Sequence, residues 1–182
     1  MALVPPHGGG DLKPLLLEGS ELEAAKSKAA GLKRVDISTR EACDCFMMGI
    51  GAFTPLPGFM GKADWQGVCD DMKLTSGVFW PIPITCSVGE SDGVSVGDEI
   101  ALYNDEFGGL IALMKVEEKY GIDKAHECKQ VFTTDDPEHP GVAKVLAQKE
   151  LNIGGPIQVL SEGGFPEEYP GIYATPAETR AI

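Results

Sequence analysis

The residues able to do chemistry in this chain lie in a few short stretches. TTDDPEHPG at 133–141 gathers Asp135, Asp136, Glu138 and His139. Carboxylates beside an imidazole can transfer protons or ligate a metal. The same string has a simpler meaning as a helix start. There Asp136 caps, Pro137 takes the first helical position, and the acidic charge complements the helix dipole. Gly49-Ile50-Gly51-Ala52-Phe53-Thr54 approaches the G-x-G-x-x-G phosphate cradle. That cradle must follow a strand and open a helix. Here the string follows a helical pattern and runs into turn-rich TPLPGFMG, so it reads as a helix end and a structured loop. His7 stands in the Pro/Gly-rich lead-in VPPHGGG and is expected at the surface. Arg34 and Arg40 are possible anion contacts, with Arg40 more naturally a first-turn surface residue or the partner of a nearby carboxylate. Trp65 and Trp80 are expected as core anchors.

Five cysteines, Cys43, Cys45, Cys69, Cys86 and Cys128, form an odd set, which argues against a fully paired disulfide framework. Cys43-Asp44-Cys45 is tighter than zinc spacing, and His126 and Cys128 could join it only through tertiary coincidence. Neither G-x-S-x-G nor G-x-x-x-x-G-K-[ST] occurs. The residues by themselves therefore assemble no catalytic constellation, and no metal site is expected.

The elements that must position these residues follow from capping and periodicity. Ser20-Glu21-Leu22-Glu23 reads as a capping box opening AAKSKAAGL, with Gly31 as its C-cap. Lys33–Ile37 reads as a strand. Ser38-Thr39-Arg40-Glu41 is a second box, opening a helix with Ala42, Cys45, Phe46 and Gly49 on one face. Asp64 is placed as the cap of a third helix, DWQGVCDDM. PIPITCSV at 81–88 reads as an edge strand. Asp98–Tyr103 and Leu110–Glu117 are strands joined by the hairpin loop NDEFGG. Asp123–Phe132 and Pro137–Glu150 read as helices, GGPIQVL at 154–160 as a strand. Thr175, Pro176 and Glu178 open one last helix in TPAETRAI. This order of antiparallel hairpins and helices implies an α+β domain, a small curled barrel in place of a doubly wound sheet.

The chain has 182 residues, enough for one core. Its formal net charge is −13, which repels nucleic-acid phosphates and anionic membranes. No apolar run nears the ~18 residues a membrane span needs, and the N-terminus lacks secretory-signal character. A cytoplasmic location is expected, without nucleic-acid or membrane partners.

Longer blocks carry a resemblance. LVPPHGGGDLKPLLL, STREACDCFMMGIGAFTPLPGFMGKADWQGV, MKLTSGVFWPIPI, VGDEIALYNDEFGGLIALMKVEEKY, VFTTDDPEHPGV and GGPIQVL occur in that order. Together they resemble the N-terminal part of the ATP sulfurylase (sulfate adenylyltransferase) family, with GAFTPLPGFM, WPIPI and HPGV the specific signatures. The resemblance implies a PUA-like β-barrel, or pseudobarrel, with added helices over residues 1–165. It implies a linker and the first turn of a catalytic domain over 166–182. The family joins sulfate to Mg-ATP, giving adenosine 5′-phosphosulfate (APS) and pyrophosphate, or runs the reverse in sulfur oxidation. Its catalytic signature, Q-x-R-N-P-x-H-x-x-H, does not occur here. The expectation is thus a supporting domain for folding and assembly, inactive alone, with no cofactor of its own. Mg-ATP, sulfate and APS would bind the parent enzyme; its catalytic domain and further copies of the chain would be the partners. No catalytic or metal-ligating residue is assigned, and substrate-binding residues stay unassigned. The alternative is a stand-alone PUA-like binding or structural subunit. The apolar residues of 161–182 are expected either to fray or to find cover on another copy.

Overall fold

The computed structural model describes residues 3–182. Its organising element is a nine-residue strand, Leu151–Val159 (β7), that pairs with four others. Its first half hydrogen-bonds Cys86–Val88 (β3) and Glu118–Gly121 (β6). Its second half pairs with Gly109–Lys115 (β5) and with the two-residue strand Gly58–Phe59 (β2). The switch between halves falls at Gly154-Gly155-Pro156. Gly155 has φ +148°, and a Cβ there would stand 2.1 Å from the Lys115 carbonyl oxygen. Only glycine permits that approach.

The sheet continues from β5 to Glu99–Asn104 (β4) through a hairpin whose tip is a single 3-10 turn, as the NDEFGG loop predicts. Beyond β4 lies Lys33–Asp36 (β1), and here the sequence reading needs correction. β1 runs parallel to β4, not in hairpin style. A parallel neighbour needs a crossover, and the long path between them, including two helices, supplies it. The result is a mixed, curled α+β sheet wrapped around one main core.

The helix Thr39–Gly49 (α2) forms where expected. The Ser38 hydroxyl accepts from Glu41 N–H while the Glu41 carboxylate accepts from Ser38 N–H. Its buried face, Ala42, Cys45, Phe46 and Gly49, packs over β7. Gly49 is needed there, because a Cβ would lie 3.0 Å from Val159 Cγ1. Phe46 meets Phe107 and Phe165 edge-on at 5.1 and 5.8 Å, the geometry aromatic quadrupoles favour.

Other boundaries differ from the sequence reading. Gly19–Ala29 (α1) begins before Ser20, its N-cap is Glu18 without a side-chain cap, and Gly31 lies beyond the C-cap Ala30. Lys62–Asp71 (α3) is N-capped by Gly61. Asp64 sits inside it and accepts instead from the Thr75 N–H and hydroxyl. Of PIPITCSV only Cys86–Val88 forms a strand, since prolines 81 and 83 cannot donate to a ladder. The expected helix forms over Lys124–Phe132 (α4), with Asp123 as its N-cap accepting from the His126 N–H. The next helix is Pro140–Leu146 (α5), not Pro137–Glu150. Two short helices complete the chain, Phe165–Glu168 (α6) and Pro176–Ala181 (α7). α7 carries the Thr175/Glu178 capping box.

Candidate functional site

A cleft of about 480 Å³ lies above the N-terminus of α2. α2 contributes Thr39, Arg40 and Glu41; β1 contributes Asp36; the α5–β7 connection contributes Lys144, Gln148 and Lys149. Ser87 and Asn104 form part of its floor.

Glu41 organises that floor. It is 2% exposed. Oε2 accepts from the Ser38 N–H and hydroxyl at 2.8 and 2.7 Å. Oε1 accepts from the Ser87 N–H and hydroxyl at 2.6 and 2.9 Å. A buried carboxylate is tolerable when so fully bonded. The residue that completes the capping box also latches α2 to β3.

Arg40 lies beside it. Its guanidinium pairs with Asp44 at 2.8 Å and donates to the Thr85 carbonyl at 3.0 Å. This is the carboxylate partnership the sequence suggests, one helical turn along. Asp44 is pushed up to about 7, first by burial and then by Glu41, against the opposing charge of Arg40. Lys149 binds Asp92 at 2.9 Å. Lys144 has no ion-pair partner among the described residues. The cleft is therefore polar: Glu41, Ser87 and Asn104 are already hydrogen-bonded, whereas, among the described residues, Gln148 Oε1 is buried without a partner and Lys144 has none. It can seat a small polar molecule; it presents no activated nucleophile.

The remaining candidates resolve into structural roles. His139, not Asp136, caps α5: its Nδ1 accepts from the Gly141 and Val142 N–H groups. Pro140 holds the first helical position. Asp136 instead accepts from Glu138 N–H. Asp135 pairs with Lys129 at 3.1 Å. Residues 49–54 end α2 and form turns, so no phosphate cradle exists there. Arg34 bridges Asp36 and Asp105 and lies over the Tyr103 ring. Trp65 is buried and donates to buried Glu127 at 2.6 Å; burial raises the Glu127 carboxyl. Trp80 is buried as well, beside Phe53 and His7. His7 Nε2 donates to the Phe79 carbonyl.

All five cysteines are free thiols, and burial raises every one of them, Cys69 to about 12. Such groups stay protonated and unreactive. No cluster of three His, Cys, Asp or Glu able to hold a metal occurs among the described residues. No helix among them is long and apolar enough to cross a membrane.

The sequence reading missed the second use of Glu41, the Trp65–Glu127 bond and the Lys149–Asp92 pair. Each joins segments far apart in the chain, so spacing carries no signal for them.

Comparison with known proteins adds what the site does not. The PUA-like domain family model matches residues 4–162. The sulfate adenylyltransferase of Thiobacillus denitrificans is 58% identical over 179 residues, 98% of this chain and 44% of that protein. The sulfate adenylyltransferase of Chlorobaculum tepidum is 56% identical over 185 residues, covering 100% and 46%. A solved structure described as a hexameric APS kinase from Thiobacillus denitrificans aligns with TM-score 0.73 at 25% identity, covering 99% of this chain and 31% of that one. The chain thus spans less than half the length of the curated relatives it matches.

Proposed function

This chain belongs to the PUA-like domain family, and on that premise we propose that it is the N-terminal part of a sulfate adenylyltransferase. The observation that carries the proposal is identity above half across nearly the whole chain to proteins of that name. In the whole enzyme, sulfate oxygen attacks the α-phosphorus of Mg-ATP, and pyrophosphate leaves with APS formed. Two anions must be brought together, which demands convergent cations and backbone donors. The cleft above α2 does not offer a convergent set, since Arg40 and Lys149 are paired with Asp44 and Asp92 and only Lys144 among its lining cations lacks an ion-pair partner.

The role proposed for this chain is therefore to support folding and assembly. Residues 1–165 form the PUA-like domain, and residues 166–182 lead into the catalytic part. ATP, sulfate and APS are bound by that part. The complete protein works in sulfur metabolism, in the cytoplasm, as a homo-oligomer; the hexameric structural relative favours the last point.

The test is sulfate-dependent pyrophosphate release from Mg-ATP. The 182-residue chain is measured alone and fused to the remaining part of the Thiobacillus denitrificans relative. No turnover is expected from the chain and clear turnover from the fusion. Turnover by the chain itself would overturn the supporting role. A folded but inactive fusion, beside an active relative, would overturn the family assignment of activity.

A further inference from the structure

Between β6 and β7 the chain leaves the sheet to form α4 and α5. It departs at Gly121 and returns at Leu151, which are partners in the β6–β7 ladder. An excursion whose ends already lie side by side can open without disturbing the sheet. The stretch 123–148 also folds on itself. Asp123 caps α4 and His139 caps α5. Cys128, Val142 and Val145 are buried together with Phe132 packed on them, apart from the main core. Gly141 lies against Phe132, where a Cβ would come within 2.6 Å of the ring. Lys124 Nζ donates to the Leu146 carbonyl at 3.3 Å and to that of Gln148, joining the two ends. So small a core cannot hold two helices alone, since free-standing domains need about 40 residues or more. These helices persist only while they are docked.

The docking is one-sided. Among the described residues, the hydrogen bonds that tie 123–148 to the rest of the fold all go to α3. Glu127 Oε2 accepts from Trp65 Nε1 at 2.6 Å, and His126 Nε2 pairs with Asp70 Oδ1 at 2.6 Å. Val131 packs on the same region, against the cluster of Trp65, Cys69 and Tyr120. The side that faces α2 is separated from it by the cleft. There Lys144, Ala147 and Gln148 line one wall, and residues 36–41 line the other. Among the described residues, no hydrogen bond crosses from those three to α2. Beyond them Lys149 is held by Asp92 and by the Asp36 carbonyl, which fixes the point of return.

We propose that residues 123–148 are a flap that undocks from α3 and unfolds as one unit, opening the cleft above α2. The Trp65–Glu127 and Asp70–His126 pairs are its latch. The β6–β7 ladder and Lys149 are its fixed ends. Undocking takes away the wall that carries Lys144, Ala147 and Gln148. The cleft and the docked flap therefore form together, and a molecule that fills the cleft holds the flap down.

Native-state hydrogen exchange of the 182-residue chain tests this, read by mass spectrometry in rising urea below the unfolding transition. Peptides from 124–132 and from 140–146 share one opening equilibrium and exchange faster than those of β7. Their urea dependence is shallower, because the slope follows the surface exposed on opening. Glu127→Ala speeds both groups about tenfold, although α5 makes no hydrogen bond to Glu127 among the described residues. Leu113→Val thins the core that Leu113 forms with Ala25 and Ala29 of α1. It speeds the β7 peptides and leaves the flap at its original rate, since that core survives undocking. The proposal is overturned if α4 and α5 exchange with the rate and urea slope of β7, or at the rate of an unstructured segment. It is overturned equally if Glu127→Ala speeds α4 without α5, or if Leu113→Val speeds the flap as much as the sheet.

Discussion

Asp44 and Arg40 stand one helical turn apart on α2, yet burial sets the carboxyl more than the guanidinium does. Its folded value, about 7, lies above the ordinary value of 3.8. Between those values the folded chain holds a proton that the unfolded chain has released. The stabilisation is complete below the lower value and is lost as pH rises through the upper one, amounting to roughly 4 kcal/mol. Glu127, raised by its own burial, acts in the same direction. The urea midpoint should therefore fall between pH 4.5 and 7.5, and Asp44→Asn should flatten that slope. An identical slope in Asp44→Asn would remove Asp44 as its cause. The Trp65 indole gives a second prediction at this scale. Glu127→Ala leaves a buried N–H without its acceptor and costs about 1–3 kcal/mol, whereas Glu127→Gln retains an acceptor oxygen and costs less. Thermal unfolding of the two variants ranks them.

At the scale of elements, α2 and β7 carry the fold. Ser38→Ala removes the N-cap of α2 and should cost about 1 kcal/mol in denaturant unfolding. Glu41→Ala removes the other half of the box and also the latch to β3. It strips the acceptor from the buried Ser87 N–H, so its cost should exceed about 2 kcal/mol. If both cost the same, the latch to β3 contributes nothing. Gly155→Ala should be worse than either, because Cβ meets backbone, and soluble yield is the readout. These elements also show what a sequence can disclose. The Ser38 box is legible because all its atoms lie within four residues. So is Thr175 at α7, for the same reason. Ser20 and Asp64 fit the cap pattern but lose it to context: α1 starts two residues before Ser20's expected first turn, and Asp64 is drawn to Thr75. His139 displaces Asp136 as the α5 cap because Pro140, not Pro137, takes the first helical position. β2 has two residues and leaves no periodicity to read. The parallel pairing of β1 with β4 is a tertiary fact without a local signature. Resemblance supplied the PUA-like fold that periodicity left as a curled α+β barrel. In the cleft, a nearby carboxylate for Arg40 was one of two readings open to the sequence, without naming Asp44; the Glu41–Ser87 latch, 46 positions apart, left no local signal.

For the whole molecule, charge decides which ligands are excluded. A net charge of −13 opposes polyanions at long range. Ligands that bind the folded state raise Tm by mass action, and tenfold excess over Kd gives about 1.4 kcal/mol, a few degrees for a chain of this size. Millimolar Mg-ATP, sulfate or APS should shift the Tm of the 182-residue chain by less than about 1 °C, because Arg40 and Lys149, two of the three cations lining the cleft above α2, are already paired. The same additions to a full-length relative should shift it by several degrees. A shift of that size in the chain alone, abolished by Lys144→Ala with Lys149→Ala, would place an anion in the cleft above α2. The domain would then share in substrate binding, and its acidic exterior would surround a local basic site. Without such a shift the cleft carries no anion site, and on the function proposed above the work of this domain is mechanical.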